Sequence, residues 1–175
     1  MPIFVGIGSN LSSPQWGTPV SIIAAAIDQL PRWGVIVSVR SRLWQSSPLH
    51  VTNQPDFFNA VLQVSSDLSP LALLAALKDC ESFFGRTAGV RFGPRVLDLD
   101  LLDFHGRVIP DVGWPDGQLP LILPHPRLHQ RLFALGPLQE LMPTWHHSVL
   151  NQSIGDLIQN LPGLQMAVPI EEGSP

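Results

Sequence analysis

Two carboxylates stand one residue apart in Leu97-Asp98-Leu99-Asp100-Leu101. In an extended segment alternate side chains face opposite ways, so the three leucines enter a core while Asp98 and Asp100 share the other face. Like charges held that close repel, and a cation between or in front of them relieves the repulsion. Oxygen-only ligands with no cysteine nearby select a hard ion, most simply Mg²⁺ completed by water and phosphate oxygens. The plain alternative is a solvated strand face. Just upstream, Arg86, Arg91 and Arg95 lie in or beside the stretch Arg86 to Pro94, where three of nine residues are Gly or Pro. That composition reads as a mobile loop, and guanidinium groups bind phosphate by paired hydrogen bonds better than lysine does. Together these are the parts of phosphoryl transfer: metal to bridge phosphates, arginines to neutralise charge, and closure to exclude water.

Other residues carry weaker chemistry. His125, in Pro124-His125-Pro126-Arg127, can reach a phosphate or serve as a capped, packed residue, and both readings stay open. His129 is a poorer candidate. His146-His147 lacks the spaced partners of a zinc site and is expected on the surface. Gly6, Gly8 and Ser9 match neither the phosphate-loop nor the dinucleotide pattern. Cys80, the single cysteine, suggests neither a disulfide nor a thiolate metal site and is expected as a small buried hydrophobe on a helix.

The elements that position these residues are marked by turn chemistry, since Gly and Pro number 14 and 18 of 175 residues. Ile3 to Ser9 reads as an apolar strand. Thr18-Pro19 and Ser69-Pro70 each place an N-cap before a proline suited to the first helical turn, opening helices to about Leu30 and Gly85. Val35, Val37 and Val39 alternate with Ile36, Ser38 and Arg40 as a strand does. Ser46 to Pro55 reads as a loop, Phe57 to Val64 and Leu97 to Phe104 as strands, and His105-Gly106 as a turn into a short partner through Val108 and Ile109. The order β-α-β-β-α-β predicts an α+β fold, the ferredoxin-like split βαβ: an antiparallel sheet with both helices on one face. An extra hairpin follows around an insertion at Asp111 to Leu119, then a helical pattern over Arg127 to Leu141. Ser153 and Asp156 form a capping-box pattern for a last helix. Residues 1–168 are expected as a single domain and 169–175 as a frayed tail.

Composition narrows the function. Apolar residues make up 45% and charged residues 14%, against a usual ~25% charged, so much of the chain must be core or pocket wall. Nine of the ten cations are arginine and the net charge is -4, which lacks the basic surplus of a nucleic-acid binder. The longest apolar run, Leu71 to Leu77, falls far short of the ~20 residues that span a bilayer. The N-terminus has no positive n-region, so a cytoplasmic protein without membrane or nucleic-acid partners is expected.

The run Arg91-Phe92-Gly93-Pro94-Arg95-Val96-Leu97-Asp98-Leu99-Asp100-Leu101-Leu102 closely resembles the signature of the 6-hydroxymethyl-7,8-dihydropterin pyrophosphokinases. Gly6-Ile7-Gly8-Ser9-Asn10-Leu11, Gln54-Pro55-Asp56-Phe57-Phe58-Asn59-Ala60 and Pro124-His125-Pro126-Arg127-Leu128-His129 agree with that family in order and spacing. The resemblance implies transfer of pyrophosphate from ATP to the pterin hydroxymethyl group, with release of AMP, in folate biosynthesis. It implies two Mg²⁺ ions on Asp98 and Asp100, triphosphate contacts from Arg86 and Arg95, and nucleotide seating by Glu81, His125 and Arg131. The pterin is then expected between Phe57 and Phe133, read by Asn59, with backbone contacts from Ser46 and Leu49 and with Phe92 closing over it. Phe57 stands where the family commonly has tyrosine. Two other functions compete: a non-catalytic ferredoxin-like sensor of pterin or nucleotide, and the same chemistry on a different pterin-like alcohol. A sensor has no need of paired carboxylates beside arginines.

Overall fold

The computed structural model describes residues 2–48, 53–85, 94–110 and 121–171. Strand β1 (Ile3–Ser9) leads to helix α1 (Pro19–Gln29), where Thr18 Oγ1 accepts the Ser21 N–H and Pro19 occupies the first turn. A 3₁₀ turn, Leu30–Trp33, ends at Gly34, whose φ of 72° suits a residue without Cβ. Then come β2 (Ile36–Arg40), β3 (Trp44–Ser46) and β4 (Phe57–Ser65). Helix α2 (Pro70–Phe83), capped by Ser69 Oγ on the Ala72 N–H, precedes β5 (Asp98–Phe104). The last elements are α3 (Leu132–Leu141), β6 (His146–His147), β7 (Gln152–Ser153), α4 (Ile154–Gln159) and β8 (Ala167–Pro169).

The main sheet has the order β5-β1-β4-β3-β8, with β2 also pairing to β4, and its pairs are antiparallel. The period of two divides it between two apolar layers. Ile3, Val5, Ile7, Leu62, Leu99 and Leu101 face α1 and α2, which bring Ile22, Ile23, Leu73 and Leu77. Phe4, Val61 and Leu102 face the other way, against Leu135, Leu138, Trp145 and Ile154 from the α3–α4 side. The predicted arrangement of one antiparallel sheet with α1 and α2 on one face is present, and the C-terminal helices cover part of the second face.

Several local expectations change. Strand β3 begins two residues before the segment read as loop, because three residues are too few to show a period. Ile109 does not form a hairpin partner for β5; it exchanges two 2.9 Å backbone hydrogen bonds with Leu123. The expected insertion at Asp111 to Leu119 lies outside the described residues. The helical pattern from Arg127 divides into a 3₁₀ turn, Leu128–Gln130, and α3. Pairing reaches past the proposed tail boundary: Pro169 lies opposite Trp44, and the Ile170 N–H donates to the Leu43 carbonyl at 2.7 Å. The Ser153–Asp156 capping box is present on α4. His146 is exposed as expected but His147 is buried, its ring packed on Trp145 and His129. Cys80 is fully buried, and burial pushes its thiol up to about 12.

Candidate active site

The second face of the sheet is not wholly covered by α3 and α4, and the open part is a cavity of about 370 Å³. Its floor is made of strand residues that alternate onto this face: Gly6 and Gly8 of β1, Asn59 and Val61 of β4, and Asp98, Asp100 and Leu102 of β5. Gly8 lies opposite both Asp98 and Asn59, and Gly6 opposite Asp100. A methyl group at Gly8 would come within 2.8 Å of Asn59 Oδ1, so the bare glycine lets the amide lie flat over β1. These glycines shape the floor of the cavity.

Asp98 and Asp100 share the cavity face, each side chain about a quarter exposed. Arg95 contacts Asp98 Oδ1. Arg131 Nη1 lies 3.4 Å from Asp100 Oδ2, and His125 Nε2 lies 3.9 Å from the same oxygen. Burial alone would raise the Asp100 pKa, but His125, Lys78, Arg131 and Arg95 outweigh it and hold the carboxyl below its ordinary range. Asp100 therefore stays ionised. Burial lowers the His125 pKa against the pull of Asp100, so its imidazole is neutral near pH 7. His125 Nδ1 accepts the Arg127 N–H at 3.2 Å, which leaves Nε2 facing Asp100. His125 is thus both packed and on the cavity wall.

Asn10 holds Arg95 in place. Its Oδ1 accepts the Arg95 N–H at 2.8 Å, and the Arg95 carbonyl accepts the N–H groups of Asn10 and Leu11. Through Nδ2, Asn10 also donates to Gln54 Oε1 and the Pro55 carbonyl, tying the start of β5 to the segment that leads into Phe57.

Aromatic and uncharged polar side chains line the cavity as well, and the Arg131 guanidinium lies 5.5 Å from the centre of the Phe133 ring. Phe57, Asn59 and Phe133 line the cavity, and Asn59 Nδ2 donates to Ser46 Oγ at 2.9 Å. Ser46, Ser47 and Pro48 continue the wall. Strand β3 is pinned to α3 by Trp44, whose Nε1 donates to Glu140 Oε1 at 3.0 Å; Arg42 meets the same carboxylate at 2.7 Å. Two aromatic rings and an amide on the wall of one cavity suit a flat heteroaromatic ring.

Of the residues expected from the sequence, Ser46, Phe57, Asn59, Arg95, Asp98, Asp100, His125, Arg131 and Phe133 meet in this one cavity. Leu49, Arg86, Arg91 and Phe92 lie outside the described residues. Glu81, expected beside the nucleotide, is not on the cavity wall: its side chain is 0% exposed and Oε1 accepts the Leu99 N–H at 2.6 Å. The reason is topological. Strand β5 ends the sheet on that side, so the outward N–H and C=O of Leu99 need partners other than a strand. Glu81 takes the N–H, and Lys78 takes the carbonyl at 2.7 Å while pairing with Glu81 at 2.9 Å. Lys78 thereby reaches the cavity round the edge of β5. Sequence reading missed Lys78, Arg127 and Gln54, all on the cavity wall; the single lysine, three residues before a glutamate, was the available signal for the first.

Four cations, two carboxylates and two aromatic rings line this one cavity, on a ferredoxin-like frame. The chain belongs to the family described as 7,8-dihydro-6-hydroxymethylpterin-pyrophosphokinase (HPPK), which matches residues 4–143. A Pseudomonas aeruginosa protein named 2-amino-4-hydroxy-6-hydroxymethyldihydropteridine pyrophosphokinase is 36% identical over 142 residues, 81% of this chain and 80% of its own length. A Methylorubrum extorquens protein of the same name is 33% identical over 141 residues, 80% of this chain and 82% of its own. The mitochondrial folate synthesis bifunctional protein of Arabidopsis thaliana is 38% identical over 142 residues, 80% of this chain, which spans 23% of that relative. The chain likewise spans 20% of the Folic acid synthesis protein fol1 of Pneumocystis carinii.

Proposed function

We propose that this chain transfers a pyrophosphoryl group from ATP to the hydroxymethyl group of 6-hydroxymethyl-7,8-dihydropterin, releasing AMP, as a step of folate biosynthesis in the cytoplasm. The observation that carries the reading is one cavity lined by Asp98 and Asp100 and also by Phe57, Asn59 and Phe133. Family membership and the two bacterial relatives support it.

The hydroxymethyl oxygen forms a bond to the β-phosphorus, the bond from that phosphorus to the oxygen bridging the α- and β-phosphates breaks, and AMP departs with the bridging oxygen. The hydroxyl proton passes to solvent. Asp98 and Asp100 fit a magnesium site that is not a closed protein cage: two carboxylates on one face, and among the described residues no group of three His, Cys, Asp or Glu arranged around a metal. Phosphate oxygens and water complete such a site, and two ions are proposed. Mg²⁺ held by Asp98 and Asp100 would neutralise the charge of the phosphates. Arg95 and Arg86 contact the triphosphate, and His125 and Arg131 seat the nucleotide. Glu81 acts through Lys78, which it anchors. Phe57 and Phe133 stack on the pterin, Asn59 reads its edge, Ser46 and Leu49 supply backbone contacts, and Phe92 closes over it.

The test is mass spectrometry of the products after incubation with ATP, Mg²⁺ and the hydroxymethyl pterin. AMP with a pterin pyrophosphate is expected. ADP with a pterin monophosphate, or no pterin product, removes the reading.

A further inference from the structure

Residues after 143 lie beyond the stretch matched to the family, yet one short piece of them touches two segments that line the cavity. Gln165 Oε1 accepts the Leu132 N–H at 2.9 Å, and its Nε2 donates to the Gln130 carbonyl at 2.8 Å and the Pro162 carbonyl at 3.3 Å. Leu132 is the first residue of α3, and Arg131, at the cap position, provides no side-chain cap. The first N–H groups of a helix have no intrahelical acceptor and are normally met by a Ser, Thr, Asp or Asn just before it. Here a glutamine 33 residues away meets one of them. The two neighbours of Leu132, Arg131 and Phe133, both line the cavity, whereas Gln165 does not. The next two residues meet the Ser46-Ser47 part of the cavity wall: the Met166 carbonyl accepts the Ser47 N–H at 3.2 Å, and Ala167 pairs with Ser46.

We propose that Gln165 is a positioning residue for the cavity. As the cap of α3 it holds Arg131 and Phe133, and through Met166 and Ala167 it fixes their spacing from the Ser46-Ser47 wall. The inference rests on the pyrophosphokinase reading only for the ligands used to test it. Its backbone contacts exist without them.

Two variants separate hydrogen bonding from packing: Gln165→Ala, and Gln165→Met, which keeps the length of the side chain but neither polar group. Both should raise KM for ATP and for the pterin by about fivefold to tenfold, the scale of one lost helix cap, with kcat nearly unchanged. Hydrogen exchange at the Leu132 amide should quicken in both, while the amides of Val5 and Leu62 in the sheet centre keep their protection. Unchanged KM and unchanged Leu132 exchange in both variants overturn the proposal. So does an impaired alanine variant beside a normal methionine variant, which marks packing alone, and so does faster exchange throughout the sheet, which marks general loosening. If the wild-type protein makes no AMP, the pyrophosphokinase reading fails while the exchange measurement still decides the role of Gln165.

Discussion

Gly8 and Asn59 face each other across β1 and β4, and the contact distance of 2.8 Å for an added methyl leaves no room for one unless the amide moves. Gly8→Ala should therefore break the Asn59–Ser46 hydrogen bond and weaken pterin binding by about tenfold, the order of one buried hydrogen bond lost. Nucleotide affinity should stay close to that of the wild type; calorimetry with each ligand separately checks this, and equal losses for both would place Asn59 elsewhere in the mechanism. Asp98 and Asp100 have a different weight. Asp98→Asn or Asp100→Asn keeps the shape and removes the charge, so each should lower kcat by about a hundredfold or more with the circular dichroism spectrum unchanged. Near-normal kcat at saturating Mg²⁺ in either variant contradicts the two-carboxylate site. These carboxylates were legible in the sequence because alternation along one strand puts them on one face. Lys78 was not, since it lies on α2, on the other side of the sheet, and reaches the cavity only round the edge of β5.

The β6–β7 hairpin depends on His147. Its Nδ1 accepts the N–H groups of Val149 and Leu150, each at 3.3 Å, and must be unprotonated to do so. Burial pushes the imidazole below its ordinary 6.5, nearby His129 adds to the shift, and Asp103 opposes it. The unfolded chain then binds a proton that the folded one excludes. The stabilisation is complete above pH 6.5 and is lost as pH falls below it towards the lowered folded value. His147→Asn keeps an acceptor without a titration, so its melting temperature should fall less than that of the wild type between about pH 7 and pH 5. Thermal unfolding across that range measures the difference, and parallel curves would assign the acid sensitivity to other groups. The capped helices α1, α2 and α4 were readable from Thr18, Ser69 and Ser153, because a cap is a local signal. Strands β3, β6, β7 and β8 are two or three residues long, too short for a period, and exist only because a partner strand is in place.

The sheet carries its two apolar layers separately, and the cavity opens on only one of them. Leu77, fully buried between α2 and the sheet on the other side, tests that separation. Leu77→Ala should cost about 2–5 kcal/mol of stability and leave KM for the pterin little changed; urea unfolding and steady-state kinetics on one preparation compare the two. A rise in KM that tracks the lost stability would mean that the two layers are mechanically one. The order of the longer strands and the capped helices, the α+β class and the carboxylate face follow from hydrophobic period, capping and turn residues, which act within a few positions along the chain. What packing alone decided is which distant groups share the cavity. Glu81 is drawn away to satisfy the edge of β5, Lys78 is brought in beside it, Gly8 makes room for Asn59, and Gln165 caps a helix 33 residues earlier. Each of these answers an unsatisfied backbone group or a steric gap that appears only once the sheet is formed, so no local pattern in the chain announces it.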